Sequence, residues 1–509
     1  MTDHDVIVVG GGHNGLVCAA YLARAGFDTL VVEARGSSGG CASTVDALGA
    51  RVNICNCDHV MVRGTPIISE LGLAAHGLEY LELSPHITAL PWDGSPPWFA
   101  FHELDRTLDS LAVGHPDQVN GYRRWIADAM PVAELIVSIT NNVPTLGNVA
   151  RRVMERGGRG VARMLAWNRL SAEQVLRQYL SADGVMAPIL ATAPTVWGLA
   201  PNSPGTGLAA VSFAMRHLIP PGRPVGGSGA FPDAVRTALE LAGGTVRCDT
   251  TVDRILVERE RAAGVRFTDG DTARAPIVVG AVDPYRVFVE WLDGSVPERE
   301  RWASRSDAAG YESKVDAVLR SLPTLRGFDG LTGGDVDPWI GTVTIAPPLE
   351  EMAQNHALAA QGAIGARPVL YVNIPSVLDR ALRVGDRHVL SLETLFTPYN
   401  LRGGWESSAE PGRWLDLVAS VMEPGFIESV EAWRHVGPKQ YESDFGMRSG
   451  YATSFGGGPL AALMGRPREL TRYRTSIEGL YLTGAATFPG AGVWGAPGRN
   501  AARAILSEN

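Results

Sequence analysis

A glycine-rich turn between two apolar runs constrains this 509-residue chain more than any other feature of its sequence. Residues 5–9 are a short, almost uninterrupted apolar run, which is typical of a parallel strand buried on both faces. Gly10, Gly12 and Gly15 follow with the spacing G-x-G-x-x-G, and the stretch LVCAAYLARAG after them has helical periodicity. A second apolar run, TLVVEA, has Glu33 near its end. Strand, turn, helix and strand in this order predict a Rossmann-type unit.

Each part of this unit has a physical reason to bind a dinucleotide. Gly10 permits the tight turn, Gly12 lets the backbone approach a pyrophosphate, and Gly15 allows the helix to pack close to the strand. The amides and the dipole at the helix start bind phosphate groups. Glu33 lies about twenty residues beyond the glycines, where a carboxylate accepts hydrogen bonds from a ribose. A glycine-rich turn without a ligand leaves Glu33 unexplained, so we expect a bound dinucleotide.

The residues after Glu33 distinguish one dinucleotide from another. The sequence ARGSSGGCAST at 34–44 adds a basic residue and a second glycine pair, which a simple nicotinamide dehydrogenase does not need. Here the chain resembles the FAD-dependent amine oxidases and carotenoid desaturases, whose members carry E-x-R-x-x-x-G-G just after the first motif. It is most similar to the phytoene-desaturase-like oxidoreductases, which typically read G-H-N-G-L in the first loop, as residues 12–16 do.

The resemblance implies that FAD is the cofactor and that it is bound non-covalently. By this resemblance Glu33 binds the adenosine ribose, and Arg35, Gly40 and Ser43 line the pyrophosphate and ribityl region. Cys41 is expected near the pyrophosphate, far from the ring methyl groups where a thioether would form. The full set of expected FAD contacts is Gly10, Gly12, His13, Asn14, Gly15, Glu33, Ala34, Arg35, Gly39, Gly40, Cys41, Ser43, Val252, Gly484, Gly492 and Val493.

Two later segments extend the resemblance. Residues 224–284 predict a helix, a strand, a hairpin and a third strand, and Val252 is expected to contact the adenine through its backbone. Residues 479–509 predict a strand, a Gly/Pro-rich loop and a final helix that begins near Val493, beside the ribityl chain and the isoalloxazine ring. The Asp that flavoproteins usually carry after this strand's glycine is Ala485 here, so that ribityl contact must come from another residue.

The predicted fold class is α/β: a discontinuous Rossmann-type FAD-binding domain of the glutathione-reductase or amine-oxidase kind, plus a mixed α+β substrate domain. The boundaries assigned are residues 1–65, 222–300 and 430–509 for the FAD-binding domain, and residues 66–221 and 301–429 for the substrate domain. The first substrate block is helix-rich, and the second contains strand-like runs such as VLYVNIP. We find no second dinucleotide motif, so a separate NADPH domain is not expected.

Composition and charge exclude several classes of partner. The formal net charge is −9 and the 45 basic residues are scattered, so neither nucleic acid nor an anionic lipid surface is an expected partner. No apolar run is long enough to predict a membrane span. The first strand begins at Asp5, which leaves nothing for a cleaved leader, and the five cysteines favour a reducing compartment. A cytoplasmic enzyme with a small-molecule substrate is expected, and its oligomeric state stays open.

Candidate catalytic residues come from two segments. The sequence lacks the pattern of a Ser/His/Asp triad, a P-loop or a metal site, so the chemistry is assigned to the flavin. By the resemblance, residues 51–64 run beneath the ring, where Asn56, Asp58 and His59 are unusually polar. His59 is either an acid/base or a histidine satisfied by a backbone carbonyl. Trp494, in the final loop, is the candidate aromatic wall beside the flavin.

Several functions are compatible with these residues. The leading one is an FAD-dependent oxidoreductase that desaturates or oxidises a largely apolar organic molecule by removing hydride from a C–C or C–N unit. Electrons would then pass to dioxygen, a quinone or a partner acceptor. The alternatives are amine oxidase-like imine formation, a redox-neutral double-bond isomerisation, and flavin binding without turnover. Related sequences carry G-G-N-x-x-H before their last strand, whereas residues 447–458 lack both the Asn and the His, so the substrate does not follow from the resemblance.

Overall fold

The glycine-rich turn belongs to a five-stranded parallel sheet. The computed structural model describes residues 3–55, 57–305, 310–328 and 336–508. The five strands, in sheet order, are Leu480–Leu482, Ile277–Gly280, Val6–Val9, Thr29–Val32 and Thr245–Arg247. The three middle strands are buried at every position, which explains their continuous β-branched and apolar sequences.

Alternate residues of this sheet face two different layers. Val6, Val8 and Val31 pack against helices, whereas Ile7 and Val9 pack against a second, antiparallel sheet. The helices are His13–Arg24, Ala230–Leu241 and Ala496–Leu506. The antiparallel strands are Val252–Glu258, Arg261–Phe267 and Thr272–Ala273. The unit is therefore a parallel sheet covered on both faces, as the sequence predicts.

A seven-stranded sheet forms the second half of the molecule. In sheet order its strands are Val430–Val436, Glu312–Leu319, His388–Leu395, Leu370–Asn373, Thr342–Ala346, Ile87–Pro91 and Trp98–Ala100. Neighbouring strands are antiparallel except for the parallel pair Thr342–Ala346 and Ile87–Pro91. The strand Glu312–Leu319 is buried at all its positions. Its sequence ESKVDAVL places charged side chains on one face of the sheet and apolar ones on the other.

Helices cover the edge of this seven-stranded sheet. Those between residues 104 and 192 share a core with the edge strands; their bounds are Leu104–Gly114, Val119–Thr140, Leu146–Glu155, Val161–Trp167, Ala172–Leu176 and Asp183–Thr192. Further helices are Pro297–Ala303, Leu349–Ala360, Glu410–Ala419, Pro438–Phe445 and Gly458–Met464. Two small antiparallel ribbons pair Thr44–Ala47 with Ala50–Asn53 and Tyr80–Glu82 with Gly222–Pro224.

Two predicted boundaries differ from the structure. The final helix begins at Ala496 rather than near Val493, because Gly495 before it has a left-handed φ of +73° and ends the preceding loop. The strand Val430–Val436 pairs with Glu312–Leu319 in the seven-stranded sheet, although the predicted division assigns residues 430–509 to the FAD-binding domain. Moving that boundary beyond Val436 keeps the five-stranded and the seven-stranded sheet each within one domain, and the division itself stays a prediction.

Within the described part of the chain, no helix combines the length and the apolar character needed to cross a membrane.

Candidate functional site

A cavity of about 670 Å³ extends from the glycine-rich turn to the seven-stranded sheet. One end is lined by the first turn, by Glu33 and by the loop at 484–493. The other end is lined by Tyr371, Glu393 and other side chains of the seven-stranded sheet and its covering helices. Both halves of the molecule therefore contribute to the same cavity.

The three motif glycines have the backbone geometry that their predicted roles require. Gly10 has a φ of +108°, and a Cβ there would lie 2.7 Å from the carbonyl oxygen of Ala281. A Cβ on Gly15 would lie 2.1 Å from the carbonyl oxygen of Gly10, so only glycine fits between helix and strand. At Gly12 the nearest atom to a Cβ is Gly40 Cα at 4.0 Å. The backbone at Gly12 is therefore open toward the cavity, where a ligand can approach it.

Helix His13–Arg24 begins without a side-chain cap from its N-cap position. The residue there is Gly12, which has no side chain that could cap the helix. Asn14 Oδ1 is buried and has no hydrogen-bond partner among the described residues. His13 Nε2 donates to the carbonyl oxygen of Gly492 at 3.1 Å, and burial lowers the pKa of His13 to about 4, so its ring is neutral at pH 7. This helix start is suited to an anionic ligand.

Glu33 lies at the end of its strand and is 9% exposed. Its Oε2 accepts a hydrogen bond from the backbone N–H of Gly11 at 2.8 Å, and its Oε1 accepts one from the N–H of Arg35 at 2.9 Å. A carboxylate has about four acceptor positions, so two remain for a ligand. Ala34 and Arg35 line the cavity beside it, and the Arg35 guanidinium lies 4.3 Å from the ring centroid of Phe445.

The second glycine pair supports the first turn. Gly39 donates its N–H to the carbonyl oxygen of Gly11 at 2.8 Å, and Ser43 Oγ donates to the carbonyl oxygen of Gly40 at 2.6 Å. Gly40 and Cys41 line the cavity, whereas Gly39 and Ser43 are not among its lining residues. Gly39 and Ser43 therefore shape the turn that presents their neighbours.

The later segments also reach the cavity. Val252, Gly484, Gly492 and Val493 all line it, beside the first turn. The structure thus brings together residues from three distant parts of the sequence, and fourteen of the sixteen expected FAD contacts line the cavity, the exceptions being Gly39 and Ser43. The assignment of each residue to a contact with FAD stays a prediction.

His59 lines the cavity, but its ring nitrogens are both engaged by protein groups. Nδ1 is hydrogen-bonded to the Tyr80 hydroxyl at 2.9 Å, and Nε2 to the Ser228 hydroxyl at 2.8 Å. The side chain is fully buried, and burial lowers its pKa to about 3. These contacts favour a structural histidine satisfied by hydroxyl groups, not by the backbone carbonyl considered above. The acid/base role stays a prediction.

Trp494 and Asp58 lie within the described residues, and Asn56 does not. Trp494 is partly exposed and is not among the residues that line the cavity, although its neighbours Gly492 and Val493 are. Its role as an aromatic wall beside the flavin stays a prediction. Asn56 is outside the described residues. Asp58 lines the cavity and binds Arg223 Nε at 2.8 Å.

The C-x-C pair at Cys55 and Cys57 does not have the properties of an active dithiol. All five cysteines are free thiols. A hydrogen bond with Cys41 and burial raise the pKa of Cys55 well above its ordinary value, and burial raises that of Cys57. Because the thiolate is the reactive form, these shifts favour two small structural residues over a redox centre.

Two buried acids at the substrate end were missed from the sequence. Glu312 is 7% exposed and Glu393 is 6% exposed, and both line the cavity. They come from adjacent antiparallel strands, where Glu393 lies opposite Lys314. Burial and then the neighbouring Glu312 raise the pKa of Glu393 well above its ordinary value, and burial raises that of Glu312. Glu393 makes no side-chain hydrogen bond to any described residue.

The charges behind these acids are paired with one another. Lys314 Nζ donates to Asp316 Oδ1 at 2.7 Å and also to the carbonyl oxygen of Asn53, and Arg434 Nε donates to Asp316 Oδ2 at 3.0 Å. Asp316 therefore forms ion pairs with both Lys314 and Arg434. Glu393 is left facing the cavity with an acceptor that no neighbour uses.

A cationic group also lines this cavity. Arg216 and the almost fully buried His86 line it, and Tyr371 lies opposite Glu393 on the neighbouring strand, where Arg216 also affects it electrostatically. The Tyr371 hydroxyl donates to the carbonyl oxygen of Ala191, which fixes its orientation. The substrate end therefore contains both acids and a cation.

The residues at the nucleotide end fit FAD. The uncapped helix start, with the buried unpartnered Asn14 Oδ1 beside it, suits a pyrophosphate. The open backbone at Gly12 admits close approach, and Glu33 retains acceptor positions for a ribose. The cavity continues past this turn, so a ligand longer than a mononucleotide can extend toward the second sheet.

Comparisons with known proteins agree with this geometry. Residues 8–62 match the family described as an NAD(P)-binding Rossmann-like domain. A mouse (Mus musculus) protein named pyridine nucleotide-disulfide oxidoreductase domain-containing protein 2 is 28% identical, over 99% of this chain and 94% of that protein. The phytoene desaturase (neurosporene-forming) of Rhodobacter capsulatus is 29% identical, over 53% of this chain and 50% of its own length.

The resemblance predicted from the sequence is confirmed. A solved structure of wild-type putrescine oxidase bound to putrescine has the same fold, with a TM-score of 0.64 and 19% identity, over 99% of this chain and 98% of that one. The predicted fold class, a Rossmann-type domain with a second mixed domain, is therefore also confirmed. The relatives named here are oxidoreductases or carry that word in their names.

Proposed function

We propose that this protein is an FAD-dependent oxidoreductase that removes hydride from a C–C or C–N unit of a small organic molecule. The observation that carries the proposal is that one cavity is lined by two different groups of residues. One group is the glycine-rich turn predicted to bind a dinucleotide, and the other is a set of polar side chains from the seven-stranded sheet. Such a cavity would hold a small molecule next to the end of a bound dinucleotide, which is the arrangement that oxidation of a substrate by a flavin requires.

FAD is the cofactor that we propose. Glu33 would bind the adenosine ribose, the start of helix His13–Arg24 the pyrophosphate, and Gly484, Gly492 and Val493 the flavin half. We expect non-covalent binding, because Cys41 belongs to the turn after the second glycine pair and contacts Met447 Sδ at 3.2 Å. Bound FAD supplies a hydride acceptor.

The substrate-end acids can hold the proton that leaves when hydride is removed. Glu393 has a carboxyl group that faces the cavity without a hydrogen-bond partner among the described residues, and Glu312 lies beside it. Burial raises the pKa values of both acids above the ordinary carboxyl value, which favours a group that can exchange a proton with a substrate. Deep burial of this wall also excludes bulk water from the reacting carbon.

The substrate class is narrowed by the relatives as well as by the cavity. Phytoene, in the name of the Rhodobacter enzyme, is a hydrocarbon, and this supports a substrate with a largely apolar body. Imine formation from an amine is the second candidate, because Glu312 and Glu393 face the cavity and can neutralise an ammonium group. We expect a cytoplasmic enzyme without a nucleic-acid partner, which passes its electrons to dioxygen, a quinone or a partner protein.

The first experiment identifies the cofactor. The purified protein should be yellow and should release FAD on acid denaturation, because we assign Glu33 to an adenosine ribose. Candidate hydrocarbons, acids and amines are then added without oxygen while the flavin absorbance is followed. Bleaching within seconds supports the proposal, whereas release of FMN alone, or of no flavin, contradicts it.

A matched control tests the electron source. NADH and NADPH should not bleach the flavin at a useful rate, since we find no second dinucleotide motif in the sequence. Rapid anaerobic bleaching by either nucleotide would show that the cavity or a neighbouring surface binds nicotinamide.

A further inference from the structure

Arg216 is a cation that lines the cavity and forms no ion pair with an acidic side chain among the described residues. Its Nη1 donates to the carbonyl oxygen of Ser212 at 3.2 Å, and its guanidinium lies 5.7 Å from the ring centroid of Phe213. Among the described residues no acidic side chain forms an ion pair with it; Asp58 acts on it only at longer range and is paired with Arg223. Burial lowers the pKa of Arg216, since its charge is poorly solvated. An arginine in this position is strongly stabilised by an anionic ligand.

His86 provides an independent indication of a ligand at the same place. It lines the cavity and is 2% exposed. The backbone of Phe101 acts on the ring, but neither ring nitrogen makes a hydrogen bond of ordinary geometry in the part of the chain that the structure describes. Burial, and then the charge of Arg216, lower its pKa well below the ordinary value. The ring is therefore neutral, with one N–H donor to offer. A buried polar group without a partner is uncommon, and a bound ligand explains it.

The charges along the cavity are ordered. Glu312 and Glu393 lie toward the nucleotide-binding turn, since Glu312 acts electrostatically on Cys55, which is hydrogen-bonded to Cys41 of that turn. Tyr371 lies opposite Glu393 on the neighbouring strand, and Arg216 also acts on it electrostatically. A molecule with one negative end is repelled by the acids and attracted by the arginine. These charges therefore favour one direction of binding.

We infer that Arg216 and His86 form a carboxylate-binding site and that the substrate of the proposed oxidation is an organic acid. The inference rests on the proposed function. The planar guanidinium matches a carboxylate in a bidentate geometry, and the neutral imidazole adds one donor. With its carboxylate at Arg216, the remainder of the acid extends past Tyr371 toward the flavin end and the Glu312–Glu393 pair.

The charge of the site selects a monoanion. Arg216 is one cation, and His86 stays neutral beside it. A phosphate dianion at this depth would leave one negative charge unpaired, which is costly in a buried site. A carboxylate is balanced by the single guanidinium.

The test uses the FAD-loaded protein and three probes of equal length: octanoate, octanamide and octylamine. Binding is measured by calorimetry and by the change in flavin absorbance, so no turnover is needed. Octanoate should bind at least tenfold more tightly than octanamide. Equal binding of these two probes, or tighter binding of octylamine, would overturn the inference.

Variants locate the site. Arg216→Met should reduce octanoate binding at least tenfold and leave octanamide binding unchanged. Arg216→Lys should reduce octanoate binding less than Arg216→Met does. The matched control is Arg320→Met, since Arg320 is an exposed arginine paired with Glu431. If octanoate binds Arg216→Met as it binds the wild type, the site is elsewhere. Protein that lacks FAD would contradict the proposed function, whereas FAD-loaded protein without a carboxylate preference contradicts only this inference.

Discussion

The two ends of the cavity are built from different parts of the polypeptide. At the nucleotide end the ligand-facing groups are backbone atoms of Gly10, Gly12 and Gly15, the start of one helix, and one carboxylate. At the substrate end they are side chains, such as Arg216 and Glu393, that come from different elements. The first construction requires particular glycines at fixed spacing, and the second requires only that distant strands and helices meet. Cofactor binding and substrate choice are thus encoded in different ways, and substitutions should separate them.

The largest effect is expected from closing the space at the first turn. Gly15→Ala would put a Cβ 2.1 Å from the carbonyl oxygen of Gly10, so the helix must move away from the strand. We expect a loss of about 3 kcal/mol or more in the free energy of unfolding, and little FAD bound. Gly12→Ala is the control, because its Cβ meets nothing closer than 4.0 Å. It should fold normally and affect FAD binding alone, as chemical denaturation and flavin content will show.

The next effect concerns the proton-holding acid. Glu393→Gln keeps the shape of the side chain and removes its titration, so the rate of flavin reduction by a substrate should fall about 100-fold while FAD stays bound. Stopped-flow absorbance measures the rate. An unchanged rate with full FAD content would remove Glu393 from the proposed chemistry.

The same variant changes the pH dependence of stability. The folded-state pKa of Glu393 is raised, so its contribution is fully present below the ordinary carboxyl pKa and is lost as pH rises through the folded value. The free energy of unfolding of the wild type should therefore fall over that interval. The free energy of unfolding of Glu393→Gln should fall less over the same interval. A fall as steep as that of the wild type would show that Glu393 is not the source of the pH dependence.

At the other end, Glu33→Ala should weaken FAD binding by about 1–3 kcal/mol, because the donors at Gly11 and Arg35 lose their buried acceptor. The dissociation constant of FAD, measured by fluorescence titration of the apoprotein, checks this. Glu82→Ala is a suitable control, since Glu82 is an exposed acid paired with Arg63. Unchanged FAD binding in Glu33→Ala would refute its ribose role.

A smaller effect on catalysis is expected at His59. Its pKa is about 3 in the folded protein against an ordinary 6.5, so its contribution to stability is lost as pH falls from 6.5 toward 3. His59→Ala should cost about 1–3 kcal/mol of stability by leaving Tyr80 and Ser228 unpaired. An acid/base His59 would instead lower flavin reduction about 100-fold, and measuring both quantities decides between the roles.

The smallest effect is expected at Trp494. Its side chain does not line the cavity, so Trp494→Ala should retain FAD and reduce turnover less than about tenfold. Steady-state kinetics with a substrate found by flavin bleaching provides the measurement. A larger loss of turnover would bring Trp494 back to the flavin as an aromatic wall.

Much of the nucleotide end follows from the sequence because its determinants are local. The motif glycines, the apolar strands and Glu33 lie within one short segment, and each has a conformational or chemical requirement that other residues do not meet. The later segments were found only through the family resemblance, since the pairing of Leu480–Leu482 with Ile277–Gly280 is not local. The start of the last helix was misplaced because the left-handed Gly495 is one glycine among several in that loop.

The substrate end could not be predicted because its residues meet only in the folded chain. Glu312, Glu393 and Arg216 are each single charged residues in otherwise ordinary elements. One signal was available: the strand ESKVDAVL carries acids and a lysine at every second position, although apolar residues of the other face show that it belongs to a core. Charges on a buried strand indicate a polar cavity, but they do not identify which distant side chains share it.

The strand order of the first sheet also determines when the protein can acquire its cofactor. Leu480–Leu482 is hydrogen-bonded to Ile277–Gly280, and Gly492 and Val493 line the same cavity as Gly10. A ribosome must therefore have translated the message past residue 493 before the binding site exists. A shorter nascent chain lacks part of the site that we propose for FAD, so it gains less of the stability that a bound ligand provides. On this proposal, a yellow colour in a purified sample reports that synthesis passed residue 493.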